Sequence, residues 1–471
     1  MAQLKRMIEG YAFWTVFSAL PPMIWFYPMN KLDLTGYEAL VVVLFSPILL
    51  KIEFLSKILR KTSMGAQFVD SMIVLSLLSF QMPTTLCRLC TVAFGAFWAA
   101  LKMAIDFSSS EDDDRDEIVM GYTTGYVAVL TSRIFYKTIT PAFNDHFSNW
   151  TIFVVCATNI FFSSLPAADK ETPRKRPPLK CSLCRCYLGT AAGFGSLLYV
   201  KLSIFGEMSV PFRWFNDSKQ DHSTTLDSNP NSLLILACLI CGYFIGDKFP
   251  LMILHPLWSL AGLLSFSGIY KLSDYEGLLS ACILAIFVGS LWSIYSRSFL
   301  ECCRPAMVFT GAMFFYLLPA FYAVWTVAYN FVPLGTPCLS LSKIAFFPGW
   351  LMFFISLDLF ARWCRQDIIS FNQRRHRRSA WLVILSLFLL SCGGMYNRFT
   401  NWTKLNSSKN ITDIDHVTAM IWTYHFGYDN DGWPSLERTA NLIKDIDADI
   451  VGLLETDASR LVTSLDFLGL R

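Results

Sequence analysis

A chain of 471 residues that is 54% hydrophobic, 15% aromatic and only 16% charged is too poor in charge for a soluble domain, which carries roughly 25%. Its mean hydropathy of +0.43 is that of a polytopic membrane protein. The formal net charge of +3 is too small to recruit a nucleic acid, so no nucleic-acid partner is expected.

At the N-terminus, Lys5 and Arg6 precede the apolar run "YAFWTVFSALPPMIWFYP", and no small-residue cleavage site follows it. This run reads as a first span, kept as an anchor. A spanning helix needs roughly 20 mainly apolar residues. About thirteen segments meet that pattern, at 9–28, 36–55, 65–81, 85–106, 118–137, 148–166, 187–206, 232–246, 250–270, 277–296, 305–330, 343–362 and 380–396. No inverted repeat or pair of broken helices is evident by eye. Many of the 14 cysteines, Cys156, Cys238, Cys241, Cys282 and Cys392 among them, lie in these runs as small buried hydrophobes.

Loop charge sets the orientation. The basic stretches "KILRK" (57–61), "KETPRKRPPLK" (170–180) and "NQRRHRR" (372–378) all fall on the side of the N-terminus, which is therefore the cytosolic side. Glycosylation sequons at Asn216, Asn401, Asn406 and Asn410 fall on the opposite, luminal side. The chain thus reads as having a cytosolic N-terminus and a luminal C-terminus.

Ionisable residues inside spans are costly and often functional. Glu38, Arg88, Arg133 and Glu207 approach the expected luminal leaflet, with Arg213 just beyond it. A planar guanidinium suits phosphate. The five are candidates for a lipid-headgroup site, with snorkelling and interhelical ion pairs as the alternative. Asp70 and Lys102 each sit about one turn inside the third and fourth spans, where they could pair or snorkel independently. "CSLCRC" (Cys181, Cys184, Cys186) has one CxxC pair without a second, so free or palmitoylated thiols compete with a zinc site. The acidic run "SSSEDDDRDE" reads as a solvated loop, and His255 in "ILHPLW" as a packing residue.

After Asn401 the character changes. "VTAMIWTYHF" reads as a strand, "GYDNDGW" as a turn, "PSLERTANLIKDI" as a helix and "ADIVGLLE" as a second strand parallel to the first. The organisation is a multi-span domain over 1–396, a glycosylatable luminal linker over 397–414 and a βαβ segment over 415–471. The fold class is a polytopic α-helical membrane protein followed by an incomplete luminal α/β segment.

The βαβ unit ending at Glu455 resembles the opening of the endonuclease/exonuclease/phosphatase superfamily. The resemblance makes Glu455 a metal-ligand position and implies Mg²⁺ in a complete C-terminal domain. Thr423 stands near where that family carries Asn, and its later Asp, Asn and His elements would lie beyond Arg471. No catalysis is therefore expected of this chain, which reads as a shortened form. A closer resemblance is carried by "PPMIWFYPMNKLDLTGYEAL", "IFGEMSVPFRW" and "FGYDNDGWPSLERTANLIKDIDADIVGLLETDAS". These look like the membrane protein family of cell-wall biogenesis and GPI-anchor lipid remodelling, known in animals as the interaction partner of a post-GPI-attachment factor. The resemblance implies participation in GPI lipid remodelling in the endoplasmic reticulum, Golgi or plasma membrane. Its implied partners are membrane lipid, GPI-anchored proteins and that remodelling factor. A non-catalytic scaffold and a lipid transporter or scramblase are the rival readings.

Overall fold

The computed structural model of the chain describes residues 2–26, 36–61, 63–107, 112–136, 141, 146–164, 185–206, 231–272, 274–301, 305–327, 346–365, 377–405, 418–424, 429 and 435–454. The side chains at several helix ends, Glu38 and Asn401 among them, lie outside that description.

The first group of helices is α1 (Ala2–Phe26), α2 (Gly36–Phe45), α3 (Glu53–Lys61), α4 (Ser63–Ser76), α5 (Thr85–Asp106), α6 (Asp112–Tyr136) and α7 (His146–Ser164). The second is α8 (Arg185–Val200), α9 (Asn231–Lys248), α10 (Pro250–Leu254), α11 (Pro256–Lys271), α12 (Asp274–Glu301), α13 (Pro305–Val327) and α14 (Phe346–Arg365), followed by α15 (Arg377–Leu405). Local chemistry starts several of them. The Thr84 hydroxyl accepts from the Cys87 N–H at the head of α5, and His255 Nδ1 accepts from the Leu257 N–H at the head of α11. Pro256 occupies the first turn there, where its missing N–H costs nothing.

Among the described residues helix lies within each of the extents read as spans, with breaks inside 36–55 and, at His255, inside 250–270. Among the described residues, six helices are long and apolar enough to cross a membrane. A seventh is added if Ala39–Lys51 and Glu53–Leu59, bent by 98°, count as one broken span. α6 falls outside the six because Thr123, Thr124, Thr131, Ser132 and Arg133 dilute its apolar run. Its hydroxyls turn back onto the helix: Thr123 donates to Val119 (2.7 Å), Thr124 to Met120 (2.8 Å) and Thr131 to Val127 (2.9 Å). A helix satisfied in this way can be buried without exposing a polar group to lipid.

The two groups repeat one packing scheme. In the first, α1 packs on α5, α6 and α7, α2 on α5, and α4 on α5 and α7. In the second, α8 packs on α12, α13 and α14, α9 on α12, and α11 on α12 and α14. The same six pairings therefore recur in both halves. The interface between halves obeys the exchange too: α13 meets α2 and α5, while α6 meets α9 and α12. Small residues let one helix pair in each half approach closely. A Cβ on Gly10 would strike the Gly121 carbonyl across α1 and α6, and one on Gly195 would strike the Ala312 carbonyl across α8 and α13. One continuous core, including Trp14, Tyr126, Phe194, Trp292 and Phe299, runs through both halves.

α15 lies against α6, α9 and α1 and is pinned by Ser391 to Thr131 (3.1 Å). It continues to Leu405, into the stretch expected to be linker, because no Gly or Pro interrupts residues 396–405. The C-terminal unit holds β1 (Ala419–Thr423), α16 (Leu436–Ile446) and β2 (Ile450–Leu454). The strands pair in parallel, from Ala419 opposite Ile450 to Thr423 opposite Leu454. The Asp449 carboxylate accepts from the Thr418 N–H (2.8 Å) and hydroxyl (2.9 Å), closing the edge where β2 begins. Asp447, with φ of 52°, turns the chain out of α16 in the left-handed conformation that short polar side chains tolerate.

Candidate functional site

Three buried cations lie at one end of the bundle, where α5, α9, α12 and α14 end and α6 and α8 begin. Lys102 of α5 contacts Asp70 of α4 at 2.8 Å and Asp106 at 3.5 Å, so Asp70 and Lys102 pair between the third and fourth spans rather than snorkelling apart. Tyr122 donates to the same Asp106 at 2.8 Å. Arg297 of α12 sits between Asp247 of α9 (2.9 Å) and Asp116 of α6 (3.5 Å). Arg362 of α14 donates to Asp358, to Ser298 of α12 and to Thr190 of α8, each at 2.7 Å. Phe107 and Phe299 stack between these groups at 5.5 Å. Each cation joins two or more helices, so this end works as a polar clamp.

Of the five headgroup candidates, two have described side chains. Arg88 donates from Nε to the Met82 carbonyl at 3.0 Å and holds the turn that leads into α5. Arg133 donates to the Gly206 carbonyl and, at 2.8 Å, to the Ser18 hydroxyl, tying α6 to α1 and to the end of the α8 segment. Both are buried and both serve backbone carbonyls. The Glu38 side chain, Glu207 and Arg213 lie outside the described residues, as do Glu455, Asn216, Asn406, Asn410 and the Asn401 side chain. Among the described residues no group of three or more His, Cys, Asp or Glu side chains could hold a metal ion. The "CSLCRC" cysteines fall outside them.

The most unusual centre was not read from the sequence. Lys201 follows α8 at the first position of a π-helical turn, Lys201–Phe205, and is 0% exposed. Its Nζ lies 3.5 Å from the ring centroid of Trp292, 4.0 Å from Tyr126, 4.9 Å from Trp14 and 5.4 Å from Tyr243. All four fall within the ~6 Å over which a ring face attracts a cation. Among the described residues Nζ has no hydrogen-bond partner. The rings are held independently of the amine. Trp14 Nε1 donates to the Tyr122 carbonyl (2.8 Å), Trp292 Nε1 to Thr123 (3.0 Å), and the Tyr126 hydroxyl to the Lys201 carbonyl (2.8 Å). Trp14 and Tyr126 come from the first half, Tyr243 and Trp292 from the second. A sequence signal for the repeat exists: Gly-x-x-Trp occurs at Gly95–Trp98 in α5 and at Gly289–Trp292 in α12.

Models of one protein family match the chain in three places. "PGAP2IP, first transmembrane domain" covers residues 11–160, "PGAP2IP, second transmembrane domain" covers 185–361, and "PGAP2IP, C-terminal nuclease-like domain" covers 414–467. The chain is 24% identical to "Protein cwh43" of Schizosaccharomyces pombe over 96% of its own length. It spans about half the length of that curated relative, 48%. Among solved structures it resembles the Major Facilitator Superfamily transporter FucP in the outward conformation, with 10% identity and a TM-score of 0.49 over 77% of this chain and 99% of that one. It also resembles a bacterial homologue of the human lysosomal transporter Spinster, with 12% identity and a TM-score of 0.39 over 87% and 97% of the two chains. Likenesses as loose as these two carry no argument about function.

Proposed function

The chain belongs to the PGAP2-interacting protein family, and from that premise we propose that it takes part in remodelling the lipid of GPI anchors in the secretory pathway. The membrane region would bind or present the anchor lipid. The observation that carries this reading is the order of matches on one chain, two transmembrane domains followed by a nuclease-like domain. The family's name supports a post-GPI-attachment factor as partner.

The proposed topology has thirteen spans, a cytosolic N-terminus and a luminal C-terminus. Six expected spans fall in each matched transmembrane stretch, and α15 supplies the last. The polar clamp supports the alternation, because the helix ends it joins are the ones the topology puts on the cytosolic side. On the luminal side, Glu38, Glu207 and Arg213 would meet the anchor headgroup. Arg88 and Arg133 would frame the site through the carbonyls they hold. Glu455 would serve a divalent ion such as Mg²⁺ in a complete C-terminal domain.

A scaffold for a remodelling enzyme is the version of this role that needs no metal. A purified chain that remodels anchors alone would defeat it. A transporter or scramblase is the second reading, favoured by the repeated packing of the two halves, since transporters built from repeats bind substrate between them. Lipid transfer across liposomes holding the purified chain tests that reading. Replacing both Arg88 and Arg133 with Leu in cells lacking the native protein tests the headgroup site. Unchanged anchor lipids at normal expression would remove both arginines from it.

A further inference from the structure

We propose that Trp14, Tyr126, Tyr243 and Trp292 form a binding site for an alkylammonium group between the two halves of the bundle, and that Lys201 fills this site in the present conformation. The inference goes beyond the remodelling role and does not depend on it. A buried basic group in a membrane bundle is costly and marks a functional place unless something local satisfies it. Among the described residues the Lys201 amine has no hydrogen-bond partner, and four ring faces lie around it. Aromatic cages of this kind select alkylated ammonium groups, which have no donors to satisfy and lose little on leaving water. The ligand class is therefore a trimethylammonium or related alkylammonium, borne by a lipid headgroup or free.

The cage is built to exist without the lysine. Trp14 and Trp292 are fixed through their indole N–H groups to α6, at Tyr122 and Thr123, rather than to Lys201. The lysine has a way to leave. It stands at the start of a π-helical turn, and π turns are often functional and convert to α geometry by shifting register. That shift would swing Lys201 away from the rings. The far end of the turn is held by Arg133 on the Gly206 carbonyl, so the movement is coupled to α6 and α1. With two rings from each half, sliding of one half against the other would open the same cage.

The test uses the full chain in lipid nanodiscs, with tetramethylammonium as probe and sodium as control. Acetylation of Lys201 by an amine-reactive ester is read by mass spectrometry. In discs of phosphatidylglycerol, Lys201 should be protected. Adding tetramethylammonium, but not sodium, should raise its labelling at least tenfold. Strong labelling in phosphatidylcholine discs before any probe is added assigns the site to a lipid-borne headgroup. Equal protection in both discs, with a response to the probe, assigns it to a free ammonium. Labelling that responds to neither probe nor lipid overturns the proposal. In Lys201→Ala, tryptophan quenching by tetramethylammonium should half-saturate at a concentration at least tenfold lower than in wild type, and Trp292→Ala added to it should abolish saturation. If Lys201→Ala does not fold, the wild-type labelling decides alone.

Discussion

Arg362 offers the sharpest test of how the bundle is held. Its guanidinium joins α14 to α12 and α8 through three bonds of 2.7 Å, to Asp358, Ser298 and Thr190. Arg362→Met keeps most of the apolar stem but leaves the buried Asp358 carboxylate without its cation. Removing one partner of a buried pair costs about 3–5 kcal/mol, because the other charge stays desolvated. Losing one neutral partner costs about 1 kcal/mol. Arg362→Met should therefore destabilise the chain by about 4 kcal/mol, and Ser298→Ala or Thr190→Val by about 1 kcal/mol each. The double variant Arg362→Met/Asp358→Leu removes both charges and should recover most of the loss, since an apolar replacement of a whole buried pair is often neutral. Unfolding of the purified chain in mixed micelles by increasing denaturing detergent measures these differences. An Arg362→Met variant within about 1 kcal/mol of wild type would refute the reasoning. So would a double variant as unstable as the single one.

Lys102→Met should destabilise by a similar amount, because it strands both Asp70 and Asp106, and Asp70→Asn should cost less because Asp106 still answers Lys102; the same unfolding assay ranks them. Gly10→Leu and Gly195→Leu should each force apart a close helix pair of one half and lower the yield of monodisperse protein on size exclusion, while Gly393→Leu, with open space around it, should leave the yield unchanged. The proposed topology predicts that an N-glycosidase shifts the mobility of the chain and that Asn216→Gln together with Asn406→Gln reduces the shift. A chain that carries no glycan in secretory cells would count against the luminal side assigned to those loops.

Much of this architecture was legible because apolar run length is a local property. Among the described residues helix lies within each expected span, from Ala2–Phe26 to Arg377–Leu405, although only six or seven of these helices are long and apolar enough to cross a membrane. The Asp70–Lys102 pair was legible for a related reason: two opposite charges at equal depth in consecutive spans have little else to meet. The parallel β1–β2 pairing followed from strand, helix and strand in order. The repeat was hidden because packing positions persist while side chains change. Gly10 on Gly121 and Gly195 on Ala312 are equivalent contacts made by different residues. The Lys201 cage was hidden because its meaning depends on rings from four other helices. In the linear chain Lys201 stands near the end of a span, where a lysine would ordinarily snorkel to water. Arg88 and Arg133 were recognisable as buried arginines, but their carbonyl partners at Met82 and Gly206 depend on how the helix ends fold back.

A role in GPI-anchor lipid remodelling is tested most directly on the lipid itself. GPI-anchored proteins would be purified from cells lacking this chain and from the same cells re-expressing it, and the anchor lipids identified by mass spectrometry. Unremodelled anchor lipid should accumulate without the chain, and the normal composition should return when it is restored. Identical anchor lipids in the two cell populations, with the restored chain present at normal levels, would contradict it.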